Sequence, residues 1–235
     1  MKKSNKKLNF FYKKSKADVI KNLIDKKLKF KIPKTYSFTV DQWNNQKKLI
    51  IRNINKKFKN KKHLVIRSSS RSEDNLNSSN AGKFLSLLNI PIINKKMILA
   101  INSVIKSYKK NKKNEDQVFV QEMVSNVSVS GVLFTKDVDT GLNYYVINYD
   151  DITGKTDTVT SGRGEHSNRT LFIFKKFGKK IKSPRFKILI DCVTDLEKII
   201  NNNSIDIEFA ITKNLKPYLF QVRPITTVKK WKKVS

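Results

Sequence analysis

Residues 205–223 constrain the fold more tightly than any other stretch of the chain. Ile205-Asp206-Ile207-Glu208-Phe209-Ala210-Ile211 alternates in the period of a half-buried strand. Its odd-numbered residues face a core, and Asp206 and Glu208 share the other face. Pro217-Tyr218-Leu219-Phe220-Gln221-Val222-Arg223 alternates as well. Here Tyr218, Phe220 and Val222 are predicted on the apolar side, with Gln221 and Arg223 opposite. A turn between Asn214 and Leu215 pairs Asp206 with Arg223 and Glu208 with Gln221. One hairpin face then gathers two carboxylates, an amide and a guanidinium. Such a face suits Mg²⁺, which takes one or two carboxylates plus phosphate oxygens, and a bidentate Arg–phosphate contact. A solvated sheet face with a cross-strand salt bridge explains the same residues, and the hairpin alone leaves both readings open.

The rest of the chain supplies helices first and strands later. Residues 16–30 carry Ala17, Ile20, Leu23, Ile24 and Leu28 on one helical face. Residues 30–39 read as extended, because Pro33 opposes helix. Thr39 and Gln42 form a capping box for a second helix, with Trp43, Ile50, Ile54 and Phe58 on one face and the Lys47 stem beside them. A short strand at 64–67 runs into a Ser-rich loop at 68–80, and a helix follows at 95–110. Strands are expected at 117–124, 129–135, 143–150 and 170–175, then a helix at 185–201 before the hairpin. This order predicts an α+β protein in two lobes, residues 1–112 and 113–235, joined near 109–116.

Charge and cysteine content narrow the function classes. The chain of 235 residues has 50 Lys+Arg against 19 Asp+Glu, a formal net charge of +31. That excess is compatible with a nucleic-acid or anionic-membrane binder. The basic residues, however, are mostly Lys and lie throughout the chain, the pattern of a Lys- and Asn-biased composition. Arg is scarce, so Arg67, Arg71 and Arg223 are the more informative cations. Cys192 is the one cysteine, in an apolar helical setting, so disulfide frameworks and cysteine zinc sites are excluded. No signal-like or membrane-spanning apolar run occurs, and a cytoplasmic location is the expectation.

Two segments offer phosphate-binding chemistry and two are decoys. Ile66-Arg67-Ser68-Ser69-Ser70-Arg71 ends a strand with a guanidinium and several hydroxyls, and Ser79-Asn80-Ala81-Gly82-Lys83 permits close backbone approach. A surface turn rich in Ser and Asn accounts for them equally well. Gly154-Lys155-Thr156 lacks the first glycine of a P-loop, which would fall at Tyr149. Gly162-Arg163-Gly164 lacks the last glycine of a dinucleotide motif, which would fall at Ser167. His63 and His166 have no metal-ligand spacing.

Taken in order, five blocks resemble one family. Arg67-Ser68-Ser69-Ser70-Arg71-Ser72-Glu73-Asp74 with Ser79-Asn80-Ala81-Gly82-Lys83 resembles the Ser-rich loop of pyruvate phosphate dikinase and phosphoenolpyruvate synthase. Ser86-Leu87-Leu88-Asn89, Val120-Gln121-Glu122-Met123, Ser130-Gly131-Val132-Leu133-Phe134-Thr135 and Asp206-Ile207-Glu208 through Gln221-Val222-Arg223-Pro224-Ile225 resemble later motifs of that family. The resemblance implies a two-lobed ATP-grasp fold with mixed or antiparallel sheets and ATP between the lobes. It places Arg67 on nucleotide phosphates, Gly82 and Ser86 along the phosphate side, and Gln121 at the adenine hinge. It places Glu208 on Mg²⁺ or ribose, Asp206 in support of the metal, and Gln221 and Arg223 on the phosphates. Lys16 takes the position of a family lysine, although the two preceding glycines are absent.

By the same resemblance, Arg67, Arg223 and Lys16 would stabilise phosphoryl charge alongside Mg²⁺. Enzymes of the family pass phosphate to a histidine on a swivelling domain and then to pyruvate in a separate barrel. Neither a matching histidine segment nor room for such a barrel is found in this sequence. The implied partners are therefore ATP and a phosphohistidine-carrying domain or chain. Nucleic acid is not an expected partner. An ATP-sensing subunit without turnover is the alternative within the same fold.

Overall fold

The computed structural model describes residues 10–11, 14–70, 85–108, 115–155 and 169–225. Among these, two antiparallel sheets each carry helices on one face. The first has the order β1-β4-β2-β3, from Thr35–Thr39, Gln117–Glu122, His63–Ser69 and Ser86–Pro91. The second has the order β7-β6-β5-β8-β9, from Arg169–Phe174, Tyr144–Asp150, Val127–Phe134, Ile205–Thr212 and Pro217–Pro224.

Helices α2 (Val40–Lys57) and α3 (Asn94–Ser107) cover the first sheet. The Thr39–Gln42 capping box closes the start of α2 from both sides. Its apolar face puts Trp43, Ile50, Ile54 and Phe58 into a core with Ile66, Val118 and Val120. Lys47 stays exposed and lays its ammonium 5.3 Å from the Trp43 ring centroid. Helix α4 (Pro184–Ile200) covers the second sheet with Leu189, Val193 and Leu196, against Val129, Leu133, Ile147, Ile207 and Phe209. Cys192 lies in this core, where burial pushes its thiol up to about 12.

The expected lobe boundary at 112/113 needs correction. Strand β4 lies on the C-terminal side of that boundary, yet it is hydrogen-bonded between β1 and β2 in the first sheet. Helix α1 (Lys16–Ile24), on the N-terminal side, buries Ala17, Val19, Ile20 and Leu23 in the core of the second sheet. Both departures are non-local: a strand's partners and a helix's packing face lie far away in sequence. β3 has no strand signal in the sequence, because Ser86–Pro91 does not alternate, and in the structure Asn89 within it has a positive φ of 56°.

The hairpin register follows the expectation at its charged end and departs from it further on. Asp206 pairs with Arg223 and Glu208 with Gln221. A register shift then sets Phe209 opposite Leu219, leaving Phe220 as the extra residue of a bulge. Leu219 and Val222 therefore join the core, while Phe220 and Tyr218 turn to the opposite face beside Val124, Val127 and Ala210.

No helix among the described residues is long and apolar enough to cross a membrane.

Candidate functional site

The two sheets meet through the faces that their helices leave uncovered. On the first sheet, Ile66 and Val120 point into the helical core, so Arg67 and Gln121 point the other way. Ser86 is the cross-strand partner of Arg67. On the second sheet, Ile207 and Phe209 point toward α4, so Asp206 and Glu208 point to the cleft, as do Gln221 and Arg223 opposite them.

Across the cleft, Arg67 Nη1 donates to Glu208 Oε2 at 2.7 Å. The two side chains are only 10% and 15% exposed, so this pair is largely removed from water. Arg223 grips Asp206 with two bonds, Nε to Oδ1 at 3.1 Å and Nη2 to Oδ2 at 3.0 Å. Burial opposes charge on Glu208. Arg67 first, then Arg223 and Lys16, together with the Arg67 hydrogen bond, outweigh it and hold the carboxyl below its ordinary 4.5. Lys16 is thereby placed within electrostatic reach of the same carboxylate. Gln121 Nε2 donates to the Phe220 carbonyl at 3.4 Å, and the Arg67 guanidinium lies 5.9 Å from the Phe220 ring centroid.

Lys16 is brought there by the start of α1. Ser15 caps the helix in a reciprocal box with Asp18, and the Ala17 N–H donates to Ser69 Oγ at 2.9 Å. Gln117 Nε2 donates to Asp18 Oδ1 at 3.2 Å. The tip of α1 is thus tied to β2 and β4 while its body packs in the other core.

Arg67, Ser86, Gln121, Asp206, Glu208, Gln221, Arg223 and Lys16 therefore converge from both sheets and α1. Gly82 lies outside the described residues. Ser68, Ser69 and Ser70 are buried. Ser69 holds α1, and Ser70 Oγ donates to Asp116 Oδ1 at 2.6 Å. Ser69 and Ser70 thereby fasten the loop's root. Sequence reasoning also missed Phe220, which only the bulge delivers to the cleft.

Three buried side-chain atoms in the cleft find no hydrogen-bond partner among the described residues: Arg67 Nε, Gln121 Oε1 and Gln221 Nε2. Such orphans cost about 1–3 kcal/mol each unless something satisfies them. Two are donors suited to phosphate or hydroxyl oxygens, and one is an acceptor. Asp206 and Glu208 stand two residues apart on one strand face, a donor set that fits a hard divalent cation completed by phosphate oxygens. Among the described residues no group of three or more His, Cys, Asp or Glu could hold a metal by protein ligands alone.

Two α+β lobes enclosing such a cleft define an ATP-grasp fold. Solved structures support this class. The D-alanine-D-alanine ligase from Coxiella burnetii aligns at a TM-score of 0.51 and 10% identity, over 92% of this chain and 50% of that one. VanG D-Ala:D-Ser ligase from Enterococcus faecalis aligns at a TM-score of 0.50 and 11% identity, over 89% and 52%. The chain spans about half the length of either ligase. No curated protein matches. Within the class, residues 37–150 match the family model of the pyruvate phosphate dikinase AMP/ATP-binding domain.

Proposed function

We propose that the chain binds Mg·ATP in the cleft and directs phosphoryl transfer to a histidine on a separate domain or chain. The observation that carries this reading is the Arg67–Glu208 contact. It unites the phosphate-type cations of one lobe with the carboxylates of the other. Arg67, Arg223 and Lys16 would bind and orient the phosphates, with Gln221 donating beside them and Ser86 lining the same side. Gln121, at the β4 end of the inter-lobe connection, would offer its free Oε1 to the base or ribose. Asp206 and Glu208 would hold Mg²⁺, which when bound would neutralise phosphate charge.

In the transfer, a neutral imidazole nitrogen forms a bond to phosphorus as the bond from phosphorus to the leaving phosphate oxygen breaks. The leaving nucleotide phosphate keeps that electron pair, and the proton on the other imidazole nitrogen is lost to solvent. Cations fixed before the reaction stabilise the charge that develops.

Calorimetry with Mg·ATP tests the reading. The unaltered chain should bind, and Glu208→Ala and Arg223→Ala should each weaken binding at least tenfold while the fold survives. Absence of ATP affinity at millimolar concentration would sink it.

A further inference from the structure

The face of the second sheet that carries Asp206 does not end at the cleft. Cross-strand pairing runs Arg223–Asp206–Phe134–Val146–Phe172 from β9 to β7, so all five side chains share one face. Phe172 lies three strands from Asp206, about 14 Å away at ordinary strand spacing. Here the surface becomes aromatic. Phe172 is 58% exposed, Phe174 40%, and Phe177, in the 3₁₀ turn Lys175–Lys180 that follows, 49%. Phe174 packs its ring against Tyr144 at 5.3 Å and Phe177 at 5.8 Å, so the rings form one strip. β7 is also an edge strand among the described residues.

An exposed aromatic strip on a sheet edge invites association, and aromatic side chains are the usual anchors of interfaces. Lys176, Lys180 and Lys182 flank it, exposed and without an ion pair to any described residue. Lys180 lies over the Phe177 ring at 5.4 Å. A second copy of a chain with net charge +31 would be repelled here. An acidic surface with apolar anchors is the complement.

We infer that the Phe172–Phe174–Phe177 strip with its lysines docks an acidic partner chain, and that this partner is the phosphoryl acceptor. The identification of the partner as acceptor rests on the function proposed above. Docking on this strip would set the acceptor on the sheet face that leads to Asp206 and Arg223.

The test compares the unaltered chain with Phe172→Ser/Phe177→Ser and with Lys176→Glu/Lys180→Glu. Each is incubated with soluble extract of the source cells and ATP labelled with ³²P at the β and γ positions, and Mg·ATP affinity is measured separately by calorimetry. The expected result is a labelled acidic protein whose labelling rate at limiting concentration falls at least tenfold with either variant, at unchanged Mg·ATP affinity. The charge-reversal variant keeps the test valid if the aromatic one fails to fold. Equal labelling by folded variants overturns the docking surface alone, and so does a wild-type dimer that the variants abolish. ATP binding without any labelled protein overturns it too. Failure of the unaltered chain to bind Mg·ATP removes the nucleotide reading itself.

Discussion

Replacing Glu208 by Gln is the sharpest perturbation of the inter-lobe contact, because it keeps the shape and removes the charge. Arg67 and Glu208 are 10% and 15% exposed and 2.7 Å apart. At an effective dielectric near 20, unit charges about 4 Å apart attract by about 4 kcal/mol. Most of that offsets desolvation, and a hydrogen bond to a charged group is worth a net ~1.5–3 kcal/mol. Glu208→Gln retains a weaker bond to Arg67 but leaves a buried guanidinium without a counter-charge. The expected loss is about 2–3 kcal/mol of unfolding free energy, or roughly 4–12 °C in Tm for a chain of this size. Urea denaturation followed by circular dichroism measures it. Adding Arg67→Met should cost little more, giving a double-mutant coupling of about 1–3 kcal/mol. A loss below about 0.5 kcal/mol, with the two substitutions additive, would refute the contact as a tie between the lobes.

The same contact predicts a pH dependence. The folded Glu208 carboxyl titrates below its ordinary 4.5, so its contribution is complete above that value and is lost as pH falls toward the folded pKa. The stability gap between the unaltered chain and Glu208→Gln should therefore shrink in acid denaturant titrations. Gly131→Ala should unfold the second sheet, because a Cβ would meet Asn148 O at 2.0 Å and Tyr149 Cα at 2.8 Å. A loss of about 3 kcal/mol or more is expected by thermal melting. Ser15→Ala removes the α1 cap and should cost about 1 kcal/mol. Lys16→Met should weaken Mg·ATP binding about tenfold in calorimetry with little change in Tm.

Local chemistry was legible in the sequence, and long-range placement was not. Thr39 and Gln42 announced the start of α2 because a capping box is complete within four residues. Asp206 and Arg223 could be paired because a tight turn and alternation fix a hairpin register. The same reasoning misplaced Phe220 and Tyr218, since a bulge has no pattern of its own. The serines after Arg67 look alike in sequence. Only their distant partners, Ala17 and Asp116, reveal that Ser69 and Ser70 are structural. β4 reads as the first strand of a new lobe until β1 and β2 are seen on either side of it. Thr135 appeared only as the end of a family block. Its Oγ1 donates to the Asn203 carbonyl and accepts from the Ile205 N–H, fixing the entry to β8 and hence the placing of Asp206.

The protein-only cleft is already paired, and that decides what a ligand must do there. Among the described residues, Lys16, Arg67 and Arg223 surround Asp206 and Glu208, three cations to two carboxylates, in a site that excludes much of the water. An isolated anion would have to draw the guanidiniums away from the carboxylates and leave those buried without counter-charge. A lone divalent cation would face the reverse difficulty. A metal and polyphosphate arriving together satisfy both sets at once, because each released group gains a new opposite charge. The cleft geometry therefore favours binding of the two as a unit. Calorimetry should show ATP affinity in excess EDTA at least tenfold below that in Mg²⁺. Equal affinities would mean that Asp206 and Glu208 play no part in holding the metal.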